Sequence, residues 1–116
     1  MSKAAEFRAL HEAEPFVIPN PCDAGSAKVL AALGFRALAT TSSGFAFTLG
    51  RPDGGVTLDE VADHIRLLDE ATPLPVSADL ENGYGREPSD AALAVAGAAD
   101  AGAAGGSIED YGREDG

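Results

Sequence analysis

The sequence predicts an α/β fold assembled from parallel β/α units. Two observations carry this reading. Short apolar runs alternate with longer stretches whose apolar residues recur at helical spacing. Acidic and hydroxyl residues also cluster just after the short runs, at the rim where α/β folds place their ligands. Such alternation builds a parallel sheet through right-handed crossovers.

The elements follow in order. "KAAEFRALHEA" predicts a first helix over residues 3–13. "PFVIP" predicts a buried strand near residues 16–18, held between prolines. "DAGSAKVLAALG" places Ala27, Leu30, Ala31 and Leu33 on one helical face, and Gly34 stands where a helix-ending glycine belongs. "FRALATT" predicts the second strand, residues 36–40, and "SSGFAFTLGRPDGG" a glycine-containing loop. Thr57 with Glu60 forms a capping box ahead of the stripe Val61, Ile65 and Leu68. "LPVSADL" supplies the third strand, residues 76–79, and "NGYGREP" breaks it. Ser89 is the expected cap of the next helix, with Asp90 in its first turn. "AGGSIED" ends the pattern with a fourth strand, residues 106–108.

Composition narrows the class. The chain has 116 residues, 45% hydrophobic and 23% charged, which suits one small domain or part of a larger one. Tryptophan is absent and aromatics make up 6%, so Ala, Val and Leu must build most of the core. The net charge of −11 argues against nucleic acid and anionic membranes, which select basic surfaces, and is compatible with a cation site. Cys22 is the single cysteine and forms no internal disulfide, as in a reducing compartment. With no signal-peptide core and no apolar run near the ~20 residues of a membrane helix, the expected location is cytoplasmic. His11 and His64 fall in helical patterns and are expected at the surface.

Several polar residues fall where predicted strands end. Asp23 follows the first. Thr41, Ser42 and Ser43 follow the second, with Asp53 further along the same loop. Asp79 and Glu81 end the third, and Glu109 and Asp110 the fourth. Carboxylates gathered at one rim raise one another's pKa or bind a cation. Oxygen ligands with almost no His or Cys select a hard ion, Mg²⁺ first and Mn²⁺ second. The hydroxyls and N–H groups of "TTSSG" suit a carboxylate or phosphate oxygen. Metal and anion cradle together suit a small oxo-acid and a developing enolate.

"NPCDAGSA", "TTSSGFAFTLGRPD", "DLENGYG" and "GSIED", in this order and spacing, resemble the phosphoenolpyruvate mutase/isocitrate lyase superfamily from about Phe16 to the last residue. The resemblance implies the first half of a TIM-type (β/α)8 barrel, with residues 1–116 as the N-terminal part of a domain of ~250 residues and so a probable fragment. It implies a homo-oligomeric enzyme with Mg²⁺ (or Mn²⁺) at the C-terminal face, which makes or breaks a C–C or P–C bond of a small 2-oxo carboxylate through an enolate. Carried over by motif, Asp79 is the direct metal ligand, and Glu81 and Glu109 hold metal-bound water. Asp53 lies at the metal's outer shell. Asp53 and Glu109 are the expected catalytic acids, and Thr41, Ser42 and Ser43 hold the substrate carboxylate. Gly83 and Gly85 let the backbone turn tightly after the strand.

Two departures qualify this. Isocitrate and methylisocitrate lyases carry a cysteine in a "K-[KR]-C-G-H"-like loop soon after the strand-four acid. This chain reads "YGREDG" there, so neither activity is expected. Four strands also fall short of the eight that a barrel needs, so the alternative is an inactive half-barrel completed by another chain. A receiver-like signalling domain of similar length would need paired acids after the first strand and a lysine after a fifth. Lysine occurs here only at Lys3 and Lys28.

Overall fold

The computed structural model describes residues 1–112. The elements run α1 (Lys3–His11), α2 (Ala24–Ala32), β1 (Leu38–Ala39), α3 (Ser42–Thr48), α4 (Leu58–Ala71), β2 (Val76–Asp79), α5 (Pro88–Ala101) and β3 (Gly105–Ser107). The strands form one sheet in the order β1-β2-β3. Both pairings are parallel, with Leu38 opposite Val76 and Asp79 opposite Ser107. This is the parallel β/α arrangement that the sequence predicts.

Alternation along β2 sorts its two faces. Val76 and Ala78 are buried, while Ser77 and Asp79 are half-buried. On the buried face Leu38 and Val76 meet Ala27 of α2 and Leu68 of α4. Ala78 and Leu80 meet Val61 and Ile65 of α4, with Ala98 and Ala101 of α5. Small alanines let these helices approach the sheet closely. The opposite face carries Ala39, Ser77 and Asp79.

The segment "PFVIP" forms no strand. It runs beside β1 and touches it through one backbone hydrogen bond, from Ala39 N–H to the carbonyl of Pro19 (3.1 Å). Pro15, Pro19 and Pro21 lack N–H donors, and the two-residue β1 offers little edge to pair with. Val17 stays 68% exposed. Residues 42–48, read as loop, are helical. Thr41 caps α3 by accepting the Gly44 N–H (3.2 Å), and the helix buries Ala46. The cap of α5 is Glu87 rather than Ser89, because Pro88 with its fixed φ takes the first helical position. Asp90 accepts the Glu87 N–H (3.1 Å).

The capping box of Thr57 and Glu60 forms as the sequence predicts. Gly34 follows α2 with φ 99°, a left-handed geometry that glycine adopts without penalty. Lys3 of α1 reaches the end of α4, where its ammonium donates to the carbonyls of Asp69 (2.7 Å) and Thr72 (3.0 Å). In "YGREDG", residues 113–116 lie outside the described residues. No helix among the described residues is long and apolar enough to cross a membrane.

Candidate metal and substrate site

Asp79 is the last residue of β2, so its side chain leaves the sheet at the C-terminal rim. Three hydrogen bonds fix it. Its N–H donates to Oγ1 of buried Thr40 (2.8 Å). Its Oδ1 accepts the Glu81 N–H (3.0 Å), and its Oδ2 accepts the Ser42 N–H (3.3 Å). Ser42 also donates its hydroxyl to Oδ1 of Asp53 (3.2 Å). One serine at the start of α3 thus joins the acid ending β2 to the acid of the next loop.

The turn after β2 is strained. Glu81 and Tyr84 have φ of 53° and 62°, in the left-handed region that side chains disfavour. The Asp79 bond at Glu81 N–H and the Glu109 N–H donated to the Glu81 carbonyl (2.7 Å) hold the first of these. Strained non-glycine residues concentrate where function requires a fixed geometry. Gly83 takes a left-handed φ of 94° too, and it has a second reason to be glycine: a Cβ there would stand 2.9 Å from the Cβ of Ala91.

The expected residues separate into groups. Asp79, Ser42 and Asp53 are hydrogen-bonded together. Thr41 and Ser43 flank Ser42 and are half-buried. Glu81 is buried, at 3% exposure. Glu109 is exposed and joins the group through its backbone. Asp23 caps α2 by accepting the Ser26 N–H (2.7 Å), which lowers its pKa. Among the described residues, no three His, Cys, Asp or Glu side chains stand together as a cage for a metal ion. The donor set is nonetheless all oxygen, with one partly exposed aspartate held rigidly. That fits a hydrated Mg²⁺, which takes one or two carboxylates and keeps most of its waters.

Three residues join the site without having been singled out in the sequence. Thr40 orients Asp79 from below. The Tyr84 hydroxyl is buried with no hydrogen-bond partner among the described residues. Burial raises its pKa, and the charge of Asp79 and then those of Tyr111 and Asp53 add to the rise. The Tyr111 pKa is raised too, by desolvation and then by Glu109, Asp53 and Asp79. The potential at this rim is therefore negative, as a cation site requires. His64, expected at the surface, is 5% exposed and stacks on Phe45 of α3. A tyrosine between two glycines beside an acidic strand end was the available signal for Tyr84. Thr40 gave none, because its role depends on register.

A family model described as phosphoenolpyruvate phosphomutase matches residues 7–116. The chain belongs to the phosphoenolpyruvate mutase/isocitrate lyase superfamily. A Burkholderia cenocepacia J2315 structure, provisionally titled a lyase/mutase, is 55% identical with a TM-score of 0.93, covering 97% of this chain and 42% of that one. The structure of an oxaloacetate acetylhydrolase bound to its product oxalate is 33% identical with a TM-score of 0.86, covering 95% of this chain and 40% of that one. The 2-methylisocitrate lyase of Salmonella typhimurium is 36% identical over 112 residues, which are 94% of this chain and 38% of the lyase. The chain thus spans less than half the length of these superfamily members.

Proposed function

We propose that this chain carries the metal-binding part of a lyase or phosphonomutase-like enzyme that cleaves or rearranges a C–C or P–C bond of a small 2-oxo carboxylic acid through an enolate. The observation that carries the reading is the Asp79–Ser42–Asp53 group at the C-terminal rim of a parallel sheet. Relatives named for reactions of small carboxylic acids support it.

Asp79 is the residue to hold Mg²⁺ (or Mn²⁺) directly, with Glu81 and Glu109 acting through water and Asp53 further out. A divalent cation there supplies Lewis acidity that offsets developing enolate charge. Asp53 and Glu109, both exposed at the rim, are the acids placed to hold or move a proton. The N–H of Ser42 is engaged by Asp79, so the hydroxyls of Thr41 and Ser43 are the groups left to hold a substrate carboxylate. Thr41 keeps its O–H donor while its oxygen caps Gly44.

A specific observation favours a second reading, in which another polypeptide, such as a further copy, completes the site. A groove of about 200 Å³ runs along β3, lined by Leu80, Val95, Ala98, Ala103 and Gly105 among others. Its apolar lining suits another β/α unit. Light scattering after size-exclusion chromatography reads completion by a further copy, and a monomer at all concentrations refutes that form of the reading.

Calorimetric titration of Mg²⁺ tests the first reading. Replacing a group that acts through others on a metal costs about 10–100-fold in affinity, which is the loss expected for Asp53→Ala. Asp79→Asn should lose more than that. Unchanged affinity in Asp79→Asn refutes the assignment.

A further inference from the structure

We propose that His64 is a pH-sensitive positioning residue beneath α3. Uncharged, it seats Phe45 and with it the turn of Ser42 that joins Asp79 to Asp53; charged, it releases them.

His64 lies on the inner stripe of α4 with Val61, Ile65 and Leu68. Its ring stacks face to face on Phe45, with centroids 4.0 Å apart and planes 11° from parallel. Phe45 stands three residues after Ser42 in a seven-residue helix, and its N–H closes the first turn on the Thr41 carbonyl (2.9 Å). A shift of Phe45 must therefore move the Ser42 N–H and hydroxyl, the two groups that bridge the acids.

The choice of residue carries the inference. Nε2 of His64 is buried with no hydrogen-bond partner among the described residues. Phenylalanine or leucine would fill this place without burying an unpartnered nitrogen. Histidine adds one property that neither has, a charge that appears as the pH falls. An imidazolium here would place a cation in a desolvated site. Asp23, at the start of α2, is the ionisable neighbour whose charge reaches His64 and partly offsets that cost. Residues 42–48 of α3 carry no ionisable side chain. On α4 itself, Glu60 is engaged by Arg51 and Asp63 by Arg66. Burial is the larger influence and lowers the His64 pKa.

The link from His64 to α3 stands on this geometry alone. The link to a bound cation rests on the function proposed above. Two measurements on the ¹⁵N-labelled chain between pH 8 and 5 keep them apart. In the first, the amide resonances of Ser42, Ser43 and Phe45 are followed beside the His64 ring. They should move in one step with the ring, at a pH below the ordinary histidine value of about 6.5. His64→Phe keeps an aromatic stack and should remove the step. Asp23→Asn keeps a good helix cap and should move the step to lower pH. In the second, Mg²⁺ affinity is measured over the same range. It should fall by up to about tenfold per pH unit below the step, and lose that slope in His64→Phe. A His64 titration that leaves the three amides still overturns the proposal, and the wild-type chain alone suffices to see it. So does an amide step that persists unchanged in His64→Phe. If the amides move with His64 while no Mg²⁺ binding is detected at any pH, the positioning role holds and the cation reading falls.

Discussion

Thr40→Val tests how Asp79 is held. Thr40 is 5% exposed, and its Oγ1 accepts the Asp79 N–H at 2.8 Å. The β1–β2 ladder continues to Thr40, whose N–H donates to the Ser77 carbonyl (2.8 Å). Beyond that point no β1 carbonyl meets the Asp79 N–H, and the threonine hydroxyl replaces one. Valine keeps the shape and removes the acceptor. A buried N–H left without a partner costs about 1–3 kcal/mol. Exchanging a hydroxyl for a methyl at a buried site returns part of this, so the net loss should be about 1–2 kcal/mol. For a chain of this size that lowers Tm by about 4–10 °C. Thermal unfolding followed by circular dichroism reads it. Thr40→Ser serves as the control: it keeps the hydroxyl and loses about one buried methyl, near 0.8 kcal/mol. A Thr40→Val chain as stable as wild type, or more stable than Thr40→Ser, would show that the Asp79 N–H has another acceptor. Its hold on Asp79 would then be no part of the site.

Other substitutions probe the frame around the site. Gly83→Ala combines φ 94° with a Cβ placed 2.9 Å from that of Ala91, so α5 or the turn must shift. The loss should be about 2–4 kcal/mol, read by urea unfolding. Lys3→Met removes the ammonium from the Asp69 and Thr72 carbonyls and from the Asp69 carboxylate, a half-exposed cluster worth about 1 kcal/mol. That difference should shrink in high salt, because only the ionic part is screened. His64 is uncharged in the fold and its pKa lies below the unfolded value, so the unfolded chain binds more protons as the pH falls. Wild-type stability should therefore decline as the pH drops below about 6.5, and His64→Phe should remove that part of the slope. Denaturant midpoints at pH 7.5 and 5.5 compare the two.

What was legible in the sequence was local. The stripe of α4 and its capping box depend on residues three and four apart, and both formed as read. The strand over residues 76–79 matched as well, because its alternation of faces is written in "VSAD". The cap of α5 moved for a local reason, Pro88, but the misread segments 15–19 and 42–48 share another origin, which is that their outcome depends on partners distant in sequence. "PFVIP" has the apolar content of a strand, but a strand forms only where another edge accepts its hydrogen bonds, and its prolines left one such bond to Ala39. "SSGFAFT" reads as a glycine loop because its helix propensity is poor. It becomes helical because Thr41 caps it, Ala46 finds the core and Phe45 finds His64.

The site divides the same way. The sequence by itself determined which chemistry is present: oxygen donors at the ends of apolar runs, an excess of negative charge, and four motifs in the register of one superfamily. Residue type and spacing suffice for that. Only the tertiary structure decided that Ser42 joins Asp79 to Asp53, that Thr40 supplies the acceptor beneath them, that the Tyr84 hydroxyl is buried, and that His64 is buried against Phe45. The contacts of Ser42 and Thr40 with Asp79 join different β/α units through strand register, and that of His64 with Phe45 depends on how α3 and α4 pack. Those are set by the whole core at once, because a shift of one residue in a parallel ladder would turn Asp79 to the other face.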